Sequence, residues 1–146
     1  MAAQATRLGD QEWRTRLDLH DAAMRQQFQR FGGREVNTTG DGFIASFESP
    51  ARAIQCGLAA CEAARQSGAE IRVGVHAGEV EQRGDDLGGI AVHISARVLA
   101  AAEPGSVFVS STVKELVTGS ELRFNDRGVH QLKGVPGSWQ LFEVIA

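Results

Sequence analysis

The sequence predicts an α+β domain in which one sheet carries helices packed on one side. Three observations predict it. Helix and strand signals interleave in the order helix, hairpin, helix, strand, helix, strand, helix, strand, strand. The turn Thr39-Gly40-Asp41-Gly42 stands between two extended runs, and Asp-Gly in that setting marks a tight hairpin because glycine accepts a positive φ. From Glu70 to Glu79 the residues alternate, with Ile71, Val73 and Val75 facing one way and Arg72, Gly74 and His76 the other. The chain has 146 residues, a usual length for one domain, and no repeat, low-complexity tract or linker divides it, so residues 1–146 read as a single domain.

Met1 to Leu8 reads as a fraying start. From Gly9 to Phe31, Trp13, Leu17, His20, Met24 and Phe28 recur at spacings of four, three, four and four, one apolar helical stripe that Gly32-Gly33 ends. His20 on that stripe reads as a packing histidine. The hairpin follows, with Val36 opening its first arm and Phe43 to Phe47 forming its second. Ser49 and Pro50 are an N-cap and a first helical residue, and Ile54, Leu58 and Cys61 form the buried face of the helix they start. Ser67-Gly68 closes it. After the alternating strand, Gln82 to Gly89 reads as a polar, glycine-rich loop. A third helix is expected over Ile90 to Ala102, with Ile94 and Val98 at helical spacing. Val107-Phe108-Val109 is a short apolar strand, and Ser110-Ser111 starts a short helix around Val113 to Val117. A strand or two lies within Leu122 to Leu132. A tight loop, Lys133 to Gly137, leads to a last strand over Trp139 to Ile145.

Composition excludes several classes. The formal charge is −3, which gives no electrostatic footprint for nucleic acid or an anionic membrane. No apolar run approaches the roughly 18 residues that span a bilayer. The first residues hold no signal-peptide core, so a cytoplasmic location is expected. Cys56 and Cys61, five positions apart on a helix, point to different faces and read as small buried thiols. Neither a Gly-rich loop ending in Gly-Lys-Ser/Thr nor a Gly-x-Gly-x-x-Gly turn is present, so any phosphate is held in another way.

Two readings stand for each polar candidate. Asp41 is a turn residue, or a carboxylate at a hairpin tip able to hold a hard cation. His76 is packed or solvated, or it lines a site.

Four segments together resemble the class III adenylate/guanylate cyclase catalytic domain, in particular its bacterial branch. They are Phe31-Gly32-Gly33-Arg34-Glu35-Val36 running into Thr39-Gly40-Asp41-Gly42-Phe43; Ile71 to Glu79 (Ile-Arg-Val-Gly-Val-His-Ala-Gly-Glu); Gly84 to Val98 (Gly-Asp-Asp-Leu-Gly-Gly-Ile-Ala-Val-His-Ile-Ser-Ala-Arg-Val); and Leu132-Lys133-Gly134-Val135-Pro136-Gly137. The resemblance implies a ferredoxin-like, mostly antiparallel sheet. It implies conversion of ATP to cyclic AMP and pyrophosphate in cyclic nucleotide signalling, with Mg²⁺ or Mn²⁺, at a site shared between two cyclase domains, in a homodimer or heterodimer. Residue by residue, Asp41 matches a metal-binding aspartate and Asp86, seven positions before His93, a purine-reading aspartate. Arg97, four after His93, matches the transition-state arginine, and Lys133 a phosphate-contacting lysine. Bland readings stand beside these: a polar loop residue for Asp86, a helix-surface cation for Arg97, a loop lysine for Lys133.

Three positions depart from the family pattern. Asn37 stands where a purine-reading lysine is usual, which blurs the choice between ATP and GTP. His93 stands where an asparagine is usual, and imidazole can still donate a hydrogen bond. The family's first metal aspartate belongs to a strand before the first helix, and Met1 to Leu8 hold no acidic residue, so that strand and its carboxylate are expected to be missing and metal binding weak. Three readings follow: a working nucleotide cyclase, a degenerate cyclase-homology domain with weak or no activity that serves dimerisation, nucleotide sensing or regulation, or an unrelated α/β binding module.

Overall fold

Val107 to Val109 is the most deeply covered stretch of the chain, and the fold is built outward from it. The computed structural model describes residues 9–36, 42–83 and 86–145, with the side chains of all of these except Arg83 and Asp86. The expectations placed on Met1 to Leu8, including the missing first strand, and on Asn37 and Asp41 lie outside the described residues.

The elements in chain order are α1 (Asp10–Arg30), β1 (Arg34–Val36), β2 (Ile44–Ser46), α2 (Pro50–Gln66), β3 (Val73–Val75), β4 (Glu81–Arg83), β5 (Asp86–Gly88), α3 (Ile90–Ala101), β6 (Val107–Ser110), α4 (Ser111–Leu116), β7 (Arg123–His130) and β8 (Trp139–Ile145). A four-stranded sheet has the order β3-β6-β8-β7. Its β3–β6 pair is parallel, with Val75 opposite Val109, and its other two pairs are antiparallel. β1 with β2 and β4 with β5 form separate antiparallel hairpins. The α+β architecture with a mostly antiparallel sheet is therefore the one expected.

The helices do not share one side of that sheet. Period-two alternation along β6 sends Val107 and Val109 into a cluster with Ile54 of α2 and Val113 of α4, while Phe108 joins Ile94 and Val98 of α3. So α2 and α4 cover one face and α3 the other. The cause is readable after the fact: β6 is apolar at three successive residues, as a strand buried on both faces must be.

Local chemistry sets most element ends where expected. The Ser49 hydroxyl accepts from the Arg52 amide at 3.3 Å and Pro50 follows as the first helical residue. Beyond α1, Gly32 takes φ 76° and the Gly33 amide donates to the Phe28 carbonyl at 2.7 Å, closing the helix with glycine in the left-handed region. The apolar stripe of α1 is covered only in part: Met24 is buried against Ala60 and Ala64 of α2, whereas Trp13, Leu17 and His20 stay half-exposed. The Arg25–Glu35 ion pair, 3.0 Å, ties α1 to β1. The expected loop over Gln82 to Gly89 contains the β4–β5 hairpin instead, in which Arg83 pairs Asp86. Such short polar strands carry no apolar alternation that would mark them in the sequence. Cys56 and Cys61 are buried and free, as expected, and burial pushes the Cys56 thiol up to about 11.

What seats α3 on its face is Gly74. A Cβ at this residue would lie 2.4 Å from the Leu99 nitrogen and 2.7 Å from its Cα, both backbone atoms. At Gly57 of α2 the nearest atom to an added Cβ is a side-chain methyl, Val73 Cγ1 at 2.9 Å. Gly74→Ala should therefore destabilise the domain by ~2 kcal/mol or more through displacement of α3, and Gly57→Ala by less, read from urea midpoints.

Candidate functional site

Helix α3 carries two of the candidate residues on one face. His93 and Arg97 are one helical turn apart and both half-buried. The loop after β7 meets that face. A Cβ at Gly134 would lie 3.1 Å from His93 Nε2, and Gly134 has φ 77°, so both its conformation and its approach to the imidazole favour glycine. Next to it, Lys133 is exposed. Lys133 and Arg97 line one depression of about 210 Å³, together with Ala100, Ala101, His130, Gln131 and Leu132. Arg97 Nε is buried and has no hydrogen-bond partner among the described residues. A guanidinium and an ammonium lining one depression have the chemistry to pair with an anion of several oxygens.

The loop that presents Lys133 is anchored at both ends. Leu132 and Val135 are buried in the cluster with Ile94 and Val98, and the Val135 amide donates to the Leu132 carbonyl at 3.0 Å. Trp139 Nε1 donates to the Pro136 carbonyl at 3.0 Å. The Trp139 ring is met edge-on by His76, with centroids 5.7 Å apart, and His76 Nδ1 lies 2.7 Å from the fully buried Ser110 hydroxyl. His76 is thus the packed histidine of the two readings; it braces the loop's anchor from beneath.

The structure brings His93, Arg97 and Lys133 together. Asp86 opens β5, which leads directly into α3, so its backbone stands on the approach to the same helix. Asn37 and Asp41 lie outside the described residues, in the stretch of sequence between β1 and β2. Sequence reasoning missed His130 and Trp139. The available signal was positional: His130 is three residues before Lys133 at the end of an extended run, and Trp139 opens the next. Among the described residues no group of three His, Cys, Asp or Glu side chains is placed to hold a metal ion, and no helix is long and apolar enough to cross a membrane.

A helix-borne arginine and a loop lysine thus line one depression on the α3 side of an α+β domain. The comparisons give it a family. The adenylate and guanylate cyclase catalytic domain model matches residues 3–145, and the chain belongs to that family. It is 33% identical over 112 residues to "Putative adenylate cyclase 3" of Rhizobium meliloti, an alignment that takes in 70% of this chain and 19% of that protein. The chain thus spans about a fifth of that relative's length. An adenylate/guanylate cyclase/hydrolase from Silicibacter pomeroyi superposes with a TM-score of 0.83 at 26% identity, covering 96% of this chain and 89% of the other. The guanylate cyclase domain of RhGC from Catenaria anguillulae, solved in complex with GTP, shares the fold with a TM-score of 0.82 at 18% identity, over 99% and 90% of the two chains.

Burial lowers the His76 proton affinity, so the folded state holds this ring neutral at a pH where the unfolded chain protonates it. The unfolded state then binds more protons, and stability falls as pH falls through the ordinary histidine value of 6.5. The urea midpoint should drop between pH 7 and pH 5.5, and His76→Gln should show a shallower drop than the wild type over the same range.

Proposed function

We propose that residues 1–146 form one class III nucleotide cyclase domain that converts ATP to cyclic AMP and pyrophosphate at a site shared with a second cyclase domain. The observation that carries this reading is the single depression lined by Arg97 and Lys133, with a buried Arg97 Nε–H lacking a partner among the described residues. The 3′-hydroxyl attacks the α-phosphorus, a new P–O bond closes the ring, and the bond to the β-phosphate oxygen breaks. Negative charge spreads over the transferring phosphoryl group and the leaving pyrophosphate. Arg97 sets a planar, forked donor against the first and Lys133 a point charge against the second. His93, close against Gly134, contributes an N–H donor where the family has an amide. Asn37 and Asp86 read the purine edge.

Asp41 is the carboxylate for a divalent ion, Mg²⁺ or Mn²⁺. One carboxylate plus the nucleotide's own phosphates suits Mg²⁺, which is often bound that way, so the ion arrives as part of the substrate and neutralises triphosphate charge. A second copy fits the exposed apolar residues beside α3: Ile90 is 58% exposed and Leu99 38%, and Val80 stands next to the start of the helix. In such a pair Asp41 of one copy faces Arg97 and Lys133 of the other. The GTP complex of the Catenaria relative makes guanine the competing base.

Turnover of Mn²⁺-ATP and Mn²⁺-GTP tests the reading. Cyclic AMP should form, and Arg97→Ala, Lys133→Ala and Asp41→Ala should each cut kcat by ~100-fold or more. Cyclic AMP production that Arg97→Ala leaves unchanged would overturn the assignment. Nucleotide binding without turnover would make the domain a sensor or a regulator of another cyclase.

A further inference from the structure

One wall of the Arg97–Lys133 depression belongs to no residue yet given a task. Strand β7 breaks register against β8 between Asp126 and Val129, where Arg127 and Gly128 together oppose one residue of β8. Gly128 takes φ 84°, and its amide donates to Asp126 Oδ1 at 2.8 Å. This glycine bulge turns the end of the strand. It also brings the Arg127 carbonyl within 2.9 Å of His130 Nε2. A carbonyl oxygen only accepts, so Nε2 carries the hydrogen and Nδ1 is the nitrogen left for another proton. His130 is half-buried, pairs Trp139 across the ladder and lines the depression.

We propose that His130 is a third phosphate-binding residue of this site, taking up a proton on Nδ1 as a pyrophosphate or triphosphate group settles between Arg97 and Lys133. The proposal rests on the cyclase reading of that depression and adds to it a residue and a proton. Arg97 from α3 and Lys133 from its own loop line the depression with His130; Arg127, three residues earlier, is already paired with Glu103 and Glu143, and β8 presents Trp139, which is uncharged. Among the described residues no carboxylate lines the depression. The counter-charge for a protonated ring therefore comes from the bound phosphate, and anion binding is linked to proton uptake. In a cyclase this device acts on the leaving group: affinity for pyrophosphate rises in acid and falls as pH rises, which eases product release.

Calorimetric titration of inorganic pyrophosphate into the full chain, at pH 6 and pH 8 and in two buffers of different ionisation enthalpy, tests this. Protonation of the pyrophosphate itself is common to wild type and His130→Gln, so its contribution cancels in the difference. The wild-type ratio of affinities between pH 6 and pH 8 should exceed that of His130→Gln by about fivefold, with proton uptake on binding that His130→Gln lacks. A lost contact of purely structural kind would weaken binding equally at both pH values. Equal ratios overturn the role of His130; if Arg97→Ala and Lys133→Ala still weaken binding in that case, the cyclase reading of the depression stands without it. Failure of the wild type to bind pyrophosphate at either pH overturns both.

Discussion

The near-contact of Gly74 with the backbone of Leu99 is the constraint on which the rest depends. A strand and a helix approach so closely only where one of them lacks a side chain. That approach fixes the height of α3 above the sheet, and α3 carries His93 and Arg97. With the helix in place, Ile94 and Val98 complete a cluster with Phe108, Leu132, Val135 and Leu141. Leu132 and Val135 bracket Lys133 and Gly134. One packing contact thus sets the separation between a helix arginine and a loop lysine that are distant in the chain.

The loop is rigid for reasons that are themselves chemical. Its glycines take positive φ, its two apolar residues are buried, and its proline carbonyl is held by the Trp139 indole. Beneath Trp139, the His76–Ser110 pair joins the ends of β3 and β6 to the start of β8. A cyclase site must hold cations against charge that appears only as the phosphoryl group transfers, and preorganised donors do this best when they need not move. The bulge at Gly128 serves the same end on the opposite wall, because it fixes the tautomer of His130.

The two faces of the sheet divide the labour. The α2–α4 face is closed and apolar, with Ile54, Val109 and Val113 fully buried, and supplies most of the hydrophobic stabilisation. The α3 face is thinner and keeps exposed apolar residues at Ile90 and Leu99, next to the depression. A fold arranged in this way sets its larger apolar cluster on one side and the Arg97–Lys133 depression on the other.

The sequence by itself determined the helices, most of their ends, the alternation that names β3, the apolar run that names β6, and the motifs that identify a cyclase domain, because these follow from short-range patterning and turn chemistry. It also determined which side chains of α3 share a face, since four residues make about one turn. Only the tertiary structure decided that the helices lie on both faces of the sheet, that Gln82 to Gly89 contains a hairpin, and that His130 lines one depression with Arg97 and Lys133. The physical reason is common to all three. Each depends on which backbone comes against which at long range, through a missing Cβ, a three-residue ladder and a one-residue bulge, and none of these leaves a period in the chain.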